Sequence, residues 1–167
     1  MGAGVVIFVS NELTVCHKFK LNHRCSNNQA EQLAILKALG LRNGGQNPRT
    51  KGIYTDSRIT IDSLKNASNH NYLIEEIRKK LITLRSNKWK IEFSLIKAHA
   101  GNFGNELADR LARDAASNKE LPVHLDRIPK TTLYSELEEE AILKWQEEWE
   151  RRNKAACRNQ TVLPKRT

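Results

Sequence analysis

The sequence predicts an α/β domain with a mixed sheet, because an apparent antiparallel hairpin is followed by strands that alternate with helices. Residues 3–9 are apolar and largely β-branched, and residues 13–21 alternate roughly between apolar and polar side chains. The Ser-Asn-Glu between these two runs is a turn signal, so the pair is expected to form a hairpin. Alternation of strands and helices further along the chain is typical of parallel pairing.

The first helix is predicted from its start signal. Ser26-Asn27-Asn28-Gln29 fits a capping box, with Ser26 as the N-cap and Gln29 at the third helical position. The helix is expected to run to about Leu41 and to end at the Asn43-Gly44-Gly45 segment.

The remaining elements follow from periodicity. An amphipathic helix is expected at residues 72–84, where Leu73, Ile77, Leu81 and Leu84 share one face. The other predictions are a strand at 52–55, a helix at 58–66, a strand at 90–96 and a helix ending near 117. These elements give four predicted segments: a domain at 1–117, a linker at 118–132, an amphipathic helix at 133–154 and a basic tail at 155–167.

The charge of the chain is unevenly distributed. Residues 42–97 contain twelve Lys and Arg against five Asp and Glu, whereas residues 131–154 contain four against seven. A basic middle indicates a polyanionic partner such as nucleic acid. The three cysteines form no C-x-x-C pair, and no apolar run reaches membrane-spanning length. We therefore expect an intracellular protein, nuclear or cytoplasmic and not secreted, with no membrane association.

Three acidic residues stand out, although each has an ordinary explanation by itself. Glu31 fits an exposed helix edge, Asp56 fits an N-cap, and Asp109 fits an ion pair with Arg113. Together, however, two helices and one strand end place carboxylates that can converge at one end of a sheet. Such a cluster repels itself unless divalent cations neutralise it, and hard oxygen ligands favour Mg²⁺, with Mn²⁺ as a substitute. Two such ions about 4 Å apart can clamp a phosphodiester.

A histidine precedes the last of these acids in the stretch KAHAGNFGNELADRLARDAA, residues 97–116. His99 falls in a Gly- and Asn-rich loop, whereas Asp109 falls on the helix that follows. Imidazole titrates near neutrality, so a loop histidine suits proton transfer beside a fixed carboxylate.

The order of Ser-Asn-Asn-Gln-Ala-Glu (26–31), Tyr-Thr-Asp-Ser (54–57) and His99 with Gly-Asn-Glu-Leu-Ala-Asp (104–109) resembles type 1 ribonuclease H. The wording KAHAGNFGNELADRLA is most similar to the ribonuclease H domains of non-LTR retrotransposon polyproteins. The resemblance covers roughly residues 3–117. It implies a three-layer ribonuclease H-like fold and an endonuclease that hydrolyses the RNA strand of RNA–DNA hybrids with two metal ions.

The resemblance also implies roles for individual residues. By position, Glu31, Asp56 and Asp109 match the metal-binding carboxylates of the family. His99 matches the loop histidine that assists proton transfer and product release. Asn27 and Asn28 match the polar pair that contacts the minor groove of the hybrid.

The sequence departs from the family pattern at its start. The family's first strand carries an Asp, usually as Asp-Gly-Ser, before the Gly-Ala-Gly that here follows Met1 directly. We therefore expect the first strand and first catalytic Asp to be missing, and hybrid cleavage to be impaired. The alternative is a catalytically inactive nucleic-acid-binding remnant of a retrotransposon. A transposase- or integrase-like nuclease is disfavoured, because the His99 loop and the Asn27-Asn28 pair suit ribonuclease H better.

The predicted C-terminal helix carries an apolar stripe. Leu133, Leu137, Ala141, Trp145 and Trp149 follow one another at intervals of four residues. Two exposed Trp side chains one turn apart would form an unusual surface for a monomer. We expect this stripe either to dock on the domain or to bind a protein partner.

Overall fold

The computed structural model describes residues 1–41, 50–97 and 101–160, with side chains to residue 154. It divides into two units, residues 1–128 and residues 129–167. The elements are β1 (Gly2–Val9), β2 (Glu12–Leu21), α1 (Asn27–Gly40), β3 (Thr50–Thr55), α2 (Arg58–Lys65), α3 (Tyr72–Ser86), β4 (Lys90–Leu95), α4 (Phe103–Ser117), β5 (Val123–Leu125) and α5 (Lys130–Gln160).

The strands form two sheets in the described part of the chain. β1 pairs antiparallel with β2, and the tight connection is possible because Ser10 and Asn11 adopt positive φ angles of 53° and 66°. β2 also pairs in parallel with β5, giving the order β1-β2-β5. β3 and β4 form a separate parallel pair. The predicted α/β class, with an antiparallel first pair and parallel strands after it, is confirmed.

Helix α1 packs against both sheets. Its start is the predicted capping box, in which Ser26 and Gln29 each accept from the other's main-chain N–H. Leu33 belongs to one buried cluster, which also contains Ala3 of β1. Leu39 belongs to a second cluster, which also contains Ile53 of β3. Because one helix contributes to both clusters, β1 and β3 lie beneath the same helix.

In the part of the chain that the structure describes, two strand edges beneath α1 have no partner strand. Within the residues that the structure describes, β1 pairs with β2 alone and β3 pairs with β4 alone. The edge of a strand normally presents main-chain N–H and C=O groups that are available to form hydrogen bonds with another strand. The break between the two sheets therefore lies beside the helix that carries Glu31.

The predicted linker at 118–132 is more structured than expected. It contains β5, which pairs with β2, and Leu125 is only 7% exposed beside Leu21 and Cys25. Helix α5 begins at Lys130 and runs to Gln160, beyond the predicted bounds of 133–154. A three-residue strand is too short to show a period, so its tertiary pairing decides its conformation. The stop signal at 43–45 and the side chains of the predicted tail lie outside the described residues.

Candidate active site

Asp56 lies immediately after β3, and its carboxylate is not used as a helix cap. Ser57 is the N-cap of α2 and accepts a hydrogen bond from the main-chain N–H of Thr60 at 3.4 Å. The Asp56 carboxylate instead accepts a hydrogen bond from Nδ2 of Asn105, in the first turn of α4, at 3.3 Å. The N-cap explanation for Asp56 is therefore wrong, and the carboxylate is directed toward α4.

Two glycines of β1 allow α4 to approach the sheet. A Cβ atom on Gly4 would lie 2.0 Å from the carbonyl oxygen of Ala108, and one on Gly2 would lie 2.0 Å from that of Ala112. No side chain can occupy that space, because the obstacle is helix backbone. Asp109 follows Ala108 directly, so the close contact fixes the part of α4 that carries this acid.

The carboxylate of Asp109 does not form the ion pair that its spacing suggested. Within the described residues, Arg113 donates from Nε to the main-chain carbonyl of Asp109, at 3.3 Å, and forms no ion pair with the carboxylate. The i,i+4 explanation for this acid is therefore wrong.

Glu31 occupies a half-buried position in the second turn of α1. Burial, followed by the charges of Asp56 and Asp109, raises the pKa of its carboxyl group to about 7 from an ordinary value of 4.5. Side chains of successive strand residues point to opposite faces of a sheet, and Ala3 packs with α1 whereas Gly2 and Gly4 face α4. The acids of the two helices thus interact although the helices lie on opposite faces of β1.

The donor chemistry of this acidic group fits a hard divalent cation. All three side chains offer carboxylate oxygens, and their mutual repulsion is the kind that a cation relieves. Within the described residues, however, no three His, Cys, Asp or Glu side chains lie close enough together to hold a metal ion unaided. The three acids interact through their charges rather than forming a closed set of ligands.

The predicted hybrid-binding pair lies next to this group. Asn27 and Asn28 are exposed in the first turn of α1, four and three residues before Glu31 respectively. Residues at those spacings are neighbours on one side of a helix. Two amide side chains that can donate and accept hydrogen bonds therefore border the acidic group on its solvent side.

His99 lies outside the described residues, but the residues that flank it are tied to the same end of β3. The main-chain N–H of Ile96 donates to the carbonyl oxygen of Thr55 at 2.9 Å. On the other side, Asn105 donates to Asp56. Both flanks of the predicted His99 loop are therefore fixed beside the end of β3.

Two cations of the basic middle segment serve the fold. Lys51 is 7% exposed, donates to the carbonyl oxygens of Ala38 and Leu41, and lies 5.7 Å from the centre of the Trp89 ring. Arg78 donates to Glu75 and to the ends of α2 and the following loop. Among the exposed cations of residues 50–97, Lys79 and Lys90 pair with Glu76 and Glu92. The others are Arg58, Lys65, Arg85, Lys88 and Lys97.

Asn105, Gly2 and Gly4 were missed as functional positions by the sequence reasoning. Asn105 precedes Asp109 by four residues, so helical spacing could have placed both on one face of α4. Gly is needed at positions 2 and 4 because the backbone of α4, more than 100 residues away in the sequence, lies against them. No local sequence pattern predicts that contact.

Comparison with known proteins agrees with the α/β fold. Residues 1–117 match the family model described as RNase H. The chain therefore belongs to the RNase H family. It is also 29% identical over 113 residues to the ribonuclease H of Trichodesmium erythraeum (strain IMS101), a match covering 60% of this chain and 69% of that protein. Within the described ranges, no helix has the length and apolar character needed to span a membrane.

Proposed function

We propose that this chain is a ribonuclease H that hydrolyses the RNA strand of RNA–DNA hybrids, with Glu31, Asp56 and Asp109 as its metal-binding acids. The observation that carries the proposal is the electrostatic interaction of these three acids from three separate elements. Membership of the RNase H family supports the same reaction. Structural ion pairs also perturb pKa values, but the pKa of Glu31 is raised first by burial and then by two like charges, and stability alone favours neither.

The three carboxylates would hold Mg²⁺, or Mn²⁺ in its place. A bound pair of such ions lowers the pKa of an attacking water and stabilises charge on the leaving oxygen. Asn105 would orient the Asp56 carboxylate through its 3.3 Å hydrogen bond.

His99 would move a proton at this site and assist release of the product. Support comes from the flanks of its loop, since Ile96 is bonded to Thr55 and Asn105 to Asp56. An imidazole that exchanges protons near neutral pH suits both tasks.

The substrate would be bound through the α1 amides and the exposed cations. Asn27 and Asn28 border the acidic group and would contact the minor groove, where 2′-hydroxyls distinguish a hybrid from double-stranded DNA. The cations would contact phosphates, so binding should weaken steeply with salt. Asn27→Ala should reduce the preference for hybrid over double-stranded DNA in a filter-binding assay. Equal affinity of the unmodified chain for both duplexes would leave only a nonspecific basic surface.

The test of function is a hybrid-cleavage assay in Mg²⁺, with Asp109→Asn as the variant. Asp62→Asn is the matched control, because Asp62 is an exposed acid on α2. We expect Asp109→Asn to weaken Mn²⁺ binding in calorimetry and to remove the residual cleavage of the unmodified chain, while Asp62→Asn changes neither. Unchanged Mn²⁺ binding in Asp109→Asn would remove Asp109 from the site.

We also propose that this chain cleaves hybrids poorly, because the described residues place no strand and no further acidic ligand between β1 and β3. Two observations support this: in the described ranges β1 and β3 each have an edge without a partner beneath α1, and the described acids form no closed ligand set. A chain extended at its start by a strand carrying Asp-Gly-Ser should gain solubility and Mg²⁺-dependent cleavage. Full activity of the unextended chain in the same assay would mean that another residue completes the site.

The alternative function is a catalytically inactive nucleic-acid-binding module derived from a retrotransposon. The absence of a closed ligand set among the described residues favours it. The nucleotide sequence upstream of Met1 separates the two proposals. An open frame encoding a strand with Asp-Gly-Ser favours the enzyme, whereas stop codons favour the inactive remnant.

A further inference from the structure

Helix α5 presents a long run of exposed side chains. Every described side chain from 137 to 154 is exposed, including Trp145 at 65% and Trp149 at 56%. In most proteins the stability of a helix comes from packing of one face rather than from propensity. Large indole surfaces left in water are the usual mark of an interaction site.

The exposed side chains of α5 differ in chemical character from one face of the helix to the other. At about 100° per residue, the positions within roughly 60° of Trp145 make up one face of the helix. We call this the Trp145 face, and among residues 137–154 its members are Glu138, Ala141, Ile142, Trp145, Glu148, Trp149 and Arg152. The opposite face is mainly acidic and includes Glu140, Glu147 and Glu150.

We propose that the Trp145 face binds the same face of a second copy of this chain, with the two α5 helices antiparallel about a two-fold axis at Trp145. In that arrangement the residue n positions before Trp145 in one copy lies level with the residue n positions after Trp145 in the other copy. Ala141 then lies level with Trp149 of the other copy, so a small side chain leaves room for an indole. The two Trp145 rings meet at the axis.

The charges on this face match the same register. Glu138 precedes Trp145 by seven residues and Arg152 follows it by seven. Antiparallel pairing therefore joins Glu138 of each copy to Arg152 of the other, on both sides of the indoles. Parallel pairing would instead place Glu138 against Glu138 and Arg152 against Arg152, and like charges at an interface are repulsive.

Arg152 can make this contact without losing a strong one. Its ion pair with Glu148 of the same helix is long, at 3.7 Å, and its side chain is 81% exposed. Exposed pairs at this spacing contribute little to stability. The like-charged residues Glu140 and Glu150 lie on the opposite face, where they contact Lys144 and Lys154 of their own helix.

The test is sedimentation of the full chain over a range of concentrations. We expect a reversible dimer, whose Kd rises at least about tenfold in Glu138→Arg because both symmetric ion pairs become repulsive. Glu147→Arg makes the same charge change on the opposite face and should leave Kd within about twofold of the unmodified chain. The double variant Glu138→Arg with Arg152→Glu should restore the dimer, because the two charges are exchanged.

Three outcomes would overturn the proposal. The first is a chain that stays monomeric at every concentration, as docking of α5 on its own domain would require. The second is an equal effect of Glu138→Arg and Glu147→Arg. The third is failure of the double variant to recover the dimer while circular dichroism shows its helix content intact. Association through the open edges of β1 and β3 would not respond to these exchanges, so it is distinguished by the same variants.

Discussion

Replacement of Glu31 by Gln should stabilise the metal-free protein in neutral and alkaline solution, although it removes a residue of the proposed site. The pKa of Glu31 is about 7 in the folded protein and about 4.5 in the unfolded chain. The contribution of this group to stability is therefore fully present below pH 4.5 and is lost as the pH rises through 7. Gln carries no charge, so the variant avoids this loss.

The size of the effect follows from the two pKa values. They differ by about 2.5, and each pH unit corresponds to about 1.36 kcal/mol, so ionised Glu31 costs the folded state about 3 kcal/mol. Because the carboxyl group is only half-buried, water screens part of this cost, and about 2–3 kcal/mol is the expected gain at about pH 8. At about pH 5 the gain should fall below about 1 kcal/mol, because pH 5 is only slightly above the unfolded pKa.

The assay is urea unfolding of Glu31→Gln and the unmodified chain in EDTA, at about pH 5 and about pH 8. Glu12→Gln is the matched control, because Glu12 is exposed in the β1–β2 hairpin and should change stability by less than about 0.5 kcal/mol at either pH. Equal effects of Glu31→Gln at the two pH values would refute the reasoning, since an uncharged packing effect does not depend on pH.

Three further predictions concern the metal, the glycine contact and a buried cation. Mg²⁺ should raise the urea midpoint of the unmodified chain more at about pH 8 than at about pH 5. It should change the midpoint of Asp109→Asn little, and equal shifts in the two proteins would contradict this prediction. Gly4→Ala should destabilise the fold by about 1–3 kcal/mol or more, because its Cβ would meet the Ala108 carbonyl, whereas Gly40→Ala, with open space around it, should be neutral or slightly stabilising. Lys51→Met should cost about 1–3 kcal/mol in thermal unfolding, since two carbonyl groups at the end of α1 lose their donor, and an unchanged Tm would contradict that role.

The parts of the fold that could be predicted from sequence are those with local signals. The capping box places the start of α1 at Asn27, and the helical period of residues 72–84 places α3 with Leu73 and Ile77 buried. Both signals arise from residues within one or two turns of each other, so they do not depend on the rest of the chain.

The parts that could not be predicted depend on contacts between distant residues. β5 has three residues and exists because Leu125 packs beside Leu21. Lys51 looks like a surface cation in the sequence. It is nevertheless buried, because carbonyl groups at the end of α1 accept hydrogen bonds from its ammonium group. The charge interaction at Glu31 likewise depends on how α1, β3 and α4 are placed relative to one another. That placement cannot be read from the spacing of the acids in the sequence.

The unfavourable environment of the carboxylates and their proposed binding of a metal ion have one physical origin, which is the packing of α1 and α4. Asp109 is held by α4, which is pressed on the backbone of β1 at Gly4, while Glu31 is held by α1, which is packed on both sheets. Neither helix can withdraw its carboxylate without giving up buried contacts, so both the burial of Glu31 and the repulsion from Asp56 and Asp109 persist, and in that order they raise the pKa of Glu31. A divalent cation bound there would relieve that repulsion and gain affinity from it, whereas a monovalent cation would relieve less. On the proposed function, the packing of the two helices therefore provides the preference for Mg²⁺ before any substrate binds.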